Sequence, residues 1–429
     1  MELLLENALV LLDTWPYRFE RRNILIDGQF ISKVSKNKLK AQEKLDCTNK
    51  VILPAFINSH THSPMSILRG CGEDSSLNTW LKLHIWPLEK KLTDEDIYWG
   101  TLLSIIQMFE NGIATFNEHY FNINSIVKAI KKANIRSVIG YSMIDLGDFD
   151  SKGAKELEIA SKIAYELKQD KSFLLAPSIN PHAPNTCSKE LLRQSAILAK
   201  KLNCVLHTHL AETAAEFKFT KEKYGLSPTE LLFKTGCLSE KSVLAHSIYV
   251  TKKDIKLIKK SKSSIAHCPI ANLKLASGSI APIKEFFENN INLCLGTDGP
   301  ASNNSLNLLE SAKIAILLQK NLYKDASILS ADHALYMLTE GGAKALGINS
   351  GSIKEGKLAD LVFFDLNSPE LVPFSNSAAW IIYSASSASI TDLLINGKFV
   401  LKDKKLLTIN KQEVIKKLSL LREKLLLKN

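Results

Sequence analysis

The sequence predicts an α/β protein, a (β/α)8 TIM-like barrel with a small β-sandwich domain assembled from both termini. Three observations lead there. From residue 51 to about residue 346, apolar strand-like runs alternate with amphipathic helical stretches, and there are eight such runs. The span is long enough for the roughly 250 residues that a (β/α)8 barrel takes. Short strands with glycine turns fill the opening fifty or so residues and return beyond Asn349. Two such pieces, each too short to close a core alone, pair economically with one another. Strand counting leaves an open doubly wound sheet as the alternative to a barrel.

Residues 3–12 read as the first strand. The opening Met1-Glu-Leu-Leu-Leu has the look of a signal sequence, but no basic residue precedes the leucines, and Glu2, Glu6 and Asp13 bracket them. Residues 23–35 hold strands around a turn at Asp27-Gly28. The run 51–57, Val-Ile-Leu-Pro-Ala-Phe-Ile, reads as one buried strand and as the first of the eight. The other seven are expected at 114–117, 136–143, 173–180, 204–209, 242–246, 263–267 and 291–296. Helical periodicity marks 94–111, 123–133, 154–168 and 189–202 between them. Residues 351–365 and 390–401 carry the returning short strands. The expected domains are 1–53 with 347–408 as the β module, 54–346 as the barrel, and 409–429 as an amphipathic helix. In that helix Val414, Leu418, Leu421 and Leu425 share one face.

Composition narrows the function classes. The 429 residues are 45% hydrophobic and 23% charged, which is globular, and no apolar run approaches the ~20 residues of a membrane-spanning helix. Seven scattered cysteines without a C-x-x-C pair argue against a disulfide framework and for a cytoplasmic location. Lys plus Arg number 55 against 44 Asp plus Glu, a surplus of +11. More than half of it lies between Lys402 and Lys428, where nine basic residues face three acidic ones. A terminal helix packed on the body with a solvated lysine face explains this. A membrane-surface or nucleic-acid patch is the alternative, but the clustering and the lack of interleaved aromatics argue against a nucleic-acid partner.

The histidines carry the chemistry. His60 and His62, in Asn58-Ser-His-Thr-His62, are two apart on an extended strand and so project to one face. At the C-terminal end of a barrel strand that face is the mouth, where active sites are built. His209 ends Val205-Leu-His-Thr-His209, His246 ends Ser242-Val-Leu-Ala-His246, and Asp298 ends Leu293-Cys-Leu-Gly-Thr-Asp298. Imidazoles and a carboxylate meeting from separate strand ends suit a borderline divalent ion such as zinc, with a position open to water.

This order of motifs resembles the amidohydrolase superfamily, most nearly its 5'-methylthioadenosine/S-adenosylhomocysteine deaminases. The phrases that carry the resemblance run along nearly the whole chain. They are Leu53-Pro-Ala-Phe-Ile-Asn-Ser-His-Thr-His-Ser-Pro-Met65, Leu68-Arg-Gly, Trp80-Leu with Trp86-Pro-Leu-Glu89, Pro181-His-Ala-Pro184, His209-Leu-Ala-Glu212, Ala245-His246, His267-Cys-Pro with Ala271-Asn-Leu-Lys-Leu275, and Gly296-Thr-Asp-Gly-Pro-Ala-Ser-Asn-Asn-Ser-Leu306.

The resemblance implies one divalent metal ion per subunit on His60, His62, His209 and Asp298, with Zn2+ first and Fe2+, Mn2+ or Ni2+ as alternatives. Relatives with two metals bridge them by a modified lysine at the end of strand four, where this chain has Asn180-Pro-His182. It further implies that Asp298 takes a proton from a water the ion acidifies, that His246 orients the nucleophile, and that Glu212 protonates the purine ring. By residue type alone Glu212 would be a solvated turn glutamate. For the substrate, the resemblance assigns Glu89 to the ribose hydroxyls, His182 to the purine or ribose, and Ser302 to the ring edge. Glu89 could also be a helix-start charge after Pro87, and Trp80 and Trp86 could pack over the nucleoside or belong to the core. His207 is expected behind His209, His267 at the barrel mouth without binding metal, and His84, His119 and His333 as structural or surface residues. Asp145 and Asp148 are expected in solvent.

The implied activity is hydrolytic deamination of an adenosine-type nucleoside (5'-methylthioadenosine, S-adenosylhomocysteine, 5'-deoxyadenosine or adenosine) to its inosine analogue and ammonia. Guanine, aminofutalosine or a triazine is the alternative substrate ring. No arginine occurs from Ser137 to Leu192, where such relatives read a homocysteine carboxylate, so a substrate without one is expected unless Lys131 or a neighbouring subunit's arginine substitutes. The expected partner is a small nucleoside, with no nucleic acid and no membrane; a homo-oligomer stays open.

Overall fold

A computed structural model describes residues 2–427, so Lys428 and Asn429, at the end of the expected terminal helix, lie outside it. Eight parallel strands form the central barrel. They are β1 (Phe56–Thr61), β2 (Ile113–Tyr120), β3 (Arg136–Met143), β4 (Leu175–Pro181), β5 (Val205–Leu210), β6 (Ser242–His246), β7 (Ser264–His267) and β8 (Leu293–Leu295), each paired with the next. The seam between β8 and β1 is closed just beyond the short β8. Asp298 N donates to His60 O at 3.0 Å, and the Asn58 amide exchanges hydrogen bonds with Thr297 N at 3.0 Å and Thr297 Oγ1 at 2.7 Å. Ile57, Val138, Val205, Val243, Ala266 and Cys294 fill the lower lumen with apolar volume. This closure excludes the open doubly wound sheet.

The termini build a second sheet of nine strands. The strand Leu361–Asp365 runs antiparallel to Lys50–Pro54 in register from Leu361↔Pro54 to Asp365↔Lys50, joining the two ends of the chain. Alternation along each strand divides its side chains between two cores. Ile52, Leu361 and Phe363 face a core of the sheet's own with Leu5, Ile24 and Ile31, whereas Val51, Leu53, Val362 and Phe364 pack into the main core. The sheet wraps its own core, because Ile31 N bonds to Lys357 O and Gly356 N to Ile31 O, both at 2.8 Å.

The run 51–57 is two strands and not one. Lys50–Pro54 belongs to the terminal sheet and Phe56–Thr61 to the barrel, with Ala55 between them. Every residue from Val51 to Thr61 is buried, so no exposed residue marks the break.

Several helices sit where periodicity places them. Ile123–Ala133, Ala154–Lys168 and Lys189–Leu202 have the expected bounds, and the first and third end on left-handed Asn134 and Asn203. The terminal helix Lys411–Leu427 buries Val414, Leu418 and Leu425, with Leu421 half-buried. Lys411 and Lys417 pair with Glu110 and Glu95 at 2.5 and 3.3 Å, and Arg422 donates to the carbonyls of Ile67 and Arg69. The basic tail is therefore docked on the barrel. No helix among the described residues is long and apolar enough to cross a membrane.

Two expectations about charged residues are corrected. Asp145 is buried, because the turn after β3 meets the start of the helix Lys189–Leu202. There it accepts from Ser188 N at 2.7 Å and Ser188 Oγ at 2.6 Å. Asp148 remains exposed and accepts from Ser151. Lys131 sits in the last turn of the helix Ile123–Ala133, at the barrel's base, and pairs with Asp170 at 2.8 Å, far from any substrate. Arg136, opening β3, also lies at the base and pairs with Asp360.

Candidate active site

The strand ends bring the expected residues together. His60 and His62 come from the end of β1 and from the residue just past it, and His209 from β5. His246 closes β6, and Asp298 follows β8. His246 and Asp298 have φ of +69° and +60°, a region that non-glycine residues enter at a cost of about 1 kcal/mol or more. The Gly296-Thr-Asp-Gly299 spelling has a steric cause. A Cβ on Gly296 would lie 2.8 Å from His60 Cβ, and one on Gly299 would lie 2.8 Å from Met65 Sδ.

The three imidazoles present the same nitrogen inward. His60 Nδ1 is held by His207 Nε2 at 2.8 Å, His62 Nδ1 by His119 O, and His209 Nδ1 by His182 O at 2.6 Å. That leaves the Nε2 atoms facing one another and Asp298. His62 Nε2 stands 3.4 Å from His209 Nε2 and 3.2 Å from Asp298 Oδ1, which is 3.4 Å from His60 Nε2. Donors around a tetrahedral ion at ~2.1 Å are themselves about 3.4 Å apart, so the set has the dimensions of a divalent-metal site. His60 Nε2 is buried and has no hydrogen-bond partner. Burial opposes a charge on His62, yet the Asp298 and Glu118 carboxylates raise its pKa to about 9, which marks a spot where positive charge is favoured. The orienting bonds at each Nδ1 are the kind that fix ligating imidazoles. His207, expected behind His209, instead holds the His60 ring, and the His182 carbonyl takes the place behind His209.

Around this donor set stand groups that can move protons. Glu212 Oε2 lies 3.7 Å from His246 Nε2. Burial and the nearby Asp298 charge push the Glu212 carboxyl up to about 8, so it holds its proton at neutral pH. Burial also acts to raise Asp298, but the His60 and His62 rings that converge on it hold it well below the usual carboxylate range. Two carboxyl groups in one pocket are thereby driven to opposite protonation states, the arrangement of an acid beside a base. His246 is neutral, because burial lowers its pKa, and Asn272 Nδ2 pins its Nδ1 at 2.9 Å.

The remaining predicted residues line the same pocket. Trp80 is buried and anchors its indole N–H on Cys71 O at 2.9 Å; Trp86 is half-buried. Glu89 accepts from Tyr120 OH at 2.6 Å, and burial raises its pKa. His182 reaches Thr186 Oγ1 at 2.8 Å and is held neutral, with its pKa lowered to about 3 by burial and the surrounding imidazoles. Ser302 Oγ is 2.8 Å from Asp298 Oδ2. The pocket, about 90 Å³, opens past Trp86, Glu89, Tyr120, Phe121 and Ile144 into a cavity of about 590 Å³. His267 is buried beyond it, and its two ring nitrogens have no hydrogen-bond partner.

Sequence reasoning missed four contributors. His119 is fully buried among the site's imidazoles, and Tyr120 beside it holds Glu89. Their signal was the spelling Asn117-Glu-His-Tyr120 at the end of a strand, where the mouth lies. Asn272 lies inside a recognised phrase but has no local signal for a histidine partner 26 residues away. Glu216, in the first turn of the helix Ala214–Tyr224, carries no local mark of what its carboxylate reaches.

Comparison with known proteins identifies the family. The amidohydrolase family model matches residues 51–400. The chain belongs to the amidohydrolase family. A 5-methylthioadenosine/S-adenosylhomocysteine deaminase of Pyrococcus abyssi is 42% identical over 421 residues, covering 97% of this chain and 98% of the relative. A 5'-deoxyadenosine deaminase of Methanocaldococcus jannaschii is 40% identical over 93% of this chain and 95% of its own length. Among solved structures, a zinc-bound adenosine deaminase from Xanthomonas campestris superposes with a TM-score of 0.93 at 30% identity, covering 99% of this chain and 98% of that one.

Proposed function

We propose that this amidohydrolase is a metal-dependent deaminase that hydrolyses the 6-amino group of adenosine-type nucleosides to give the inosine analogue and ammonia. The observation that carries the reading is the buried Glu212 carboxyl, 3.7 Å from His246 Nε2 and in one pocket with Asp298 and the convergent imidazoles, where burial raises the pKa of Glu212 and the neighbouring rings lower that of Asp298. Aminopurine deamination needs a proton on ring N1 while water adds to C6, and a carboxyl held neutral at pH 7 supplies it.

His60, His62, His209 and Asp298 would hold the ion, for which we propose zinc, one per subunit. When bound, such an ion supplies a water acidified toward neutrality. Asp298 would accept a proton from the attacking water, and His246, fixed by Asn272, would orient the attacking oxygen. Glu212 gives its proton to N1. On collapse, Asp298 returns its proton to the departing amine, and Glu212 recovers one from the new hydroxyl as C6=O forms. Water and substrate thus yield ammonia and the oxo-purine, with both carboxyl groups restored. Glu89, braced by Tyr120, faces the way out of the pocket and suits ribose hydroxyls. His182 lines the wall, Trp80 closes one side, and Ser302 approaches the ring edge.

The inner pocket is too small for a whole nucleoside, so the base would sit at the metal and the ribose with its 5' group would extend into the larger cavity. The outer cavity that the 5' group would enter has no arginine to grip a carboxylate bidentately, and its cations, Lys90 and Lys152, stand among Glu89 and Glu156, which favours 5'-methylthioadenosine or 5'-deoxyadenosine over S-adenosylhomocysteine. Seven unpaired cysteines support a cytoplasmic setting. The test is ammonia release by zinc-loaded protein from adenosine, 5'-methylthioadenosine, 5'-deoxyadenosine, S-adenosylhomocysteine, guanine and cytosine. Release from the adenosine-type compounds is expected, and release from guanine or cytosine alone would overturn the reading.

A further inference from the structure

A carboxylate behind the site has no role in the chemistry above. Glu216 lies in the first turn of the helix Ala214–Tyr224 and is only 4% exposed. A glutamate at this position commonly reaches back to the N–H of the residue that caps the helix. Thr213 does cap this helix, accepting from Glu216 N at 3.2 Å. The Glu216 carboxylate, however, reaches past Thr213, and its two oxygens accept separately from Ala211 N at 2.8 Å and Glu212 N at 2.9 Å. Ala211 has a φ of +48°, so this grip holds a turn that an unrestrained alanine would avoid.

Glu212 needs such a grip. Its own carboxyl makes no hydrogen bond among the described residues, and its Oε2 comes within 3.7 Å of His246 Nε2. No side-chain hydrogen bond aims this carboxyl. The direction has to come from the backbone. We infer that Glu216 is a positioning residue that aims the Glu212 carboxyl at the substrate by clamping the backbone N–H groups of Ala211 and Glu212. This rests on the deaminase reading for what Glu212 does, but the clamp itself is independent of it.

The test compares Glu216→Gln, Glu216→Asp and Thr213→Ala in the zinc-loaded full chain, reading kcat, KM, zinc content and hydrogen exchange at the amides of residues 211 and 212. Glu216→Gln places an amide N–H₂ against a backbone N–H, and Glu216→Asp is too short to reach. Both should keep zinc, lower kcat by about 10- to 100-fold with KM changed less than about threefold, and speed exchange at the two amides at least about tenfold. Thr213→Ala frays the same helix start without touching the clamp and should keep kcat within about twofold. Unchanged exchange or unchanged kcat in the Glu216 variants would overturn the inference, as would an equal loss of kcat in Thr213→Ala. Loss of folding in both Glu216 variants would assign the residue to stability alone and overturn it too. If the wild type releases no ammonia from any adenosine-type nucleoside, the functional reading fails, and exchange at the two amides still decides the clamp.

Discussion

Two regions of this barrel bury ionisable side chains, and they treat them in opposite ways. At the base, Arg136 and Asp360 are both almost fully enclosed, and every charged atom is matched. Two guanidinium nitrogens reach the carboxylate at 2.9–3.2 Å, and Asn396 N donates to the same Asp360 Oδ1 at 2.8 Å. At the mouth, His60 Nε2 has no hydrogen-bond partner, the Glu212 carboxyl is left without a hydrogen bond, and Asp298 is shared by imidazoles that converge on it. A matched buried charge fastens two parts of the fold together. Unmatched ones cost stability, and they persist where a ligand or substrate completes them.

The contrast can be broken at either end. Glu212→Gln should keep the metal and lose about 10³-fold or more in kcat on aminopurine nucleosides; unchanged turnover removes Glu212 as the acid. His62→Ala should lower zinc per subunit, measured by elemental analysis, well below the wild-type value and abolish activity. Full zinc occupancy in that variant would contradict the donor set.

At the base the readout is different. Asp360→Ala leaves Arg136 buried without its carboxylate, so unfolding free energy should fall by about 3–5 kcal/mol, with KM and zinc content unchanged. A loss of zinc there instead would show that the base is not separate from the mouth. A smaller effect concerns substrate choice. The ratio of kcat/KM for 5'-methylthioadenosine to that for S-adenosylhomocysteine should exceed about tenfold, and a ratio near one would show that the outer cavity accepts the carboxylate.

The pH profile sharpens the same comparison. Glu212 acts in its protonated form, with its pKa raised to about 8 by burial and by Asp298. A bound cation favours the carboxylate and lowers that value. The rate should therefore fall as pH rises, through a limb at or below about pH 8, and Glu212→Gln should remove the limb. A limb that survives the substitution belongs to another group.

Much of this was legible in the chain. The helices at 123–133, 154–168 and 189–202 were readable to the residue, because an amphipathic stripe and a local stop are properties of neighbouring residues. His60, His62, His209, His246 and Asp298 were legible because each ends an apolar strand, and strand ends of a barrel converge. The break at Ala55 was not, since both flanking strands are equally buried and only their different sheets distinguish them. Asp145 was misread for a related reason. Its partner Ser188 is 43 residues away, and a carboxylate in a loop carries no mark of what will pack against it.

By itself, then, the sequence determined which side chains stand at the strand ends and hence what chemistry they could carry. Only the tertiary structure decided which charges are matched and which are left open. Arg136 and Asp360 are 224 residues apart and lock together, whereas Glu212 and Asp298 are brought into one pocket and pushed to opposite protonation states. The physical reason is that desolvation and Coulomb energy depend on distance and burial in space, which the chain acquires only when the barrel closes.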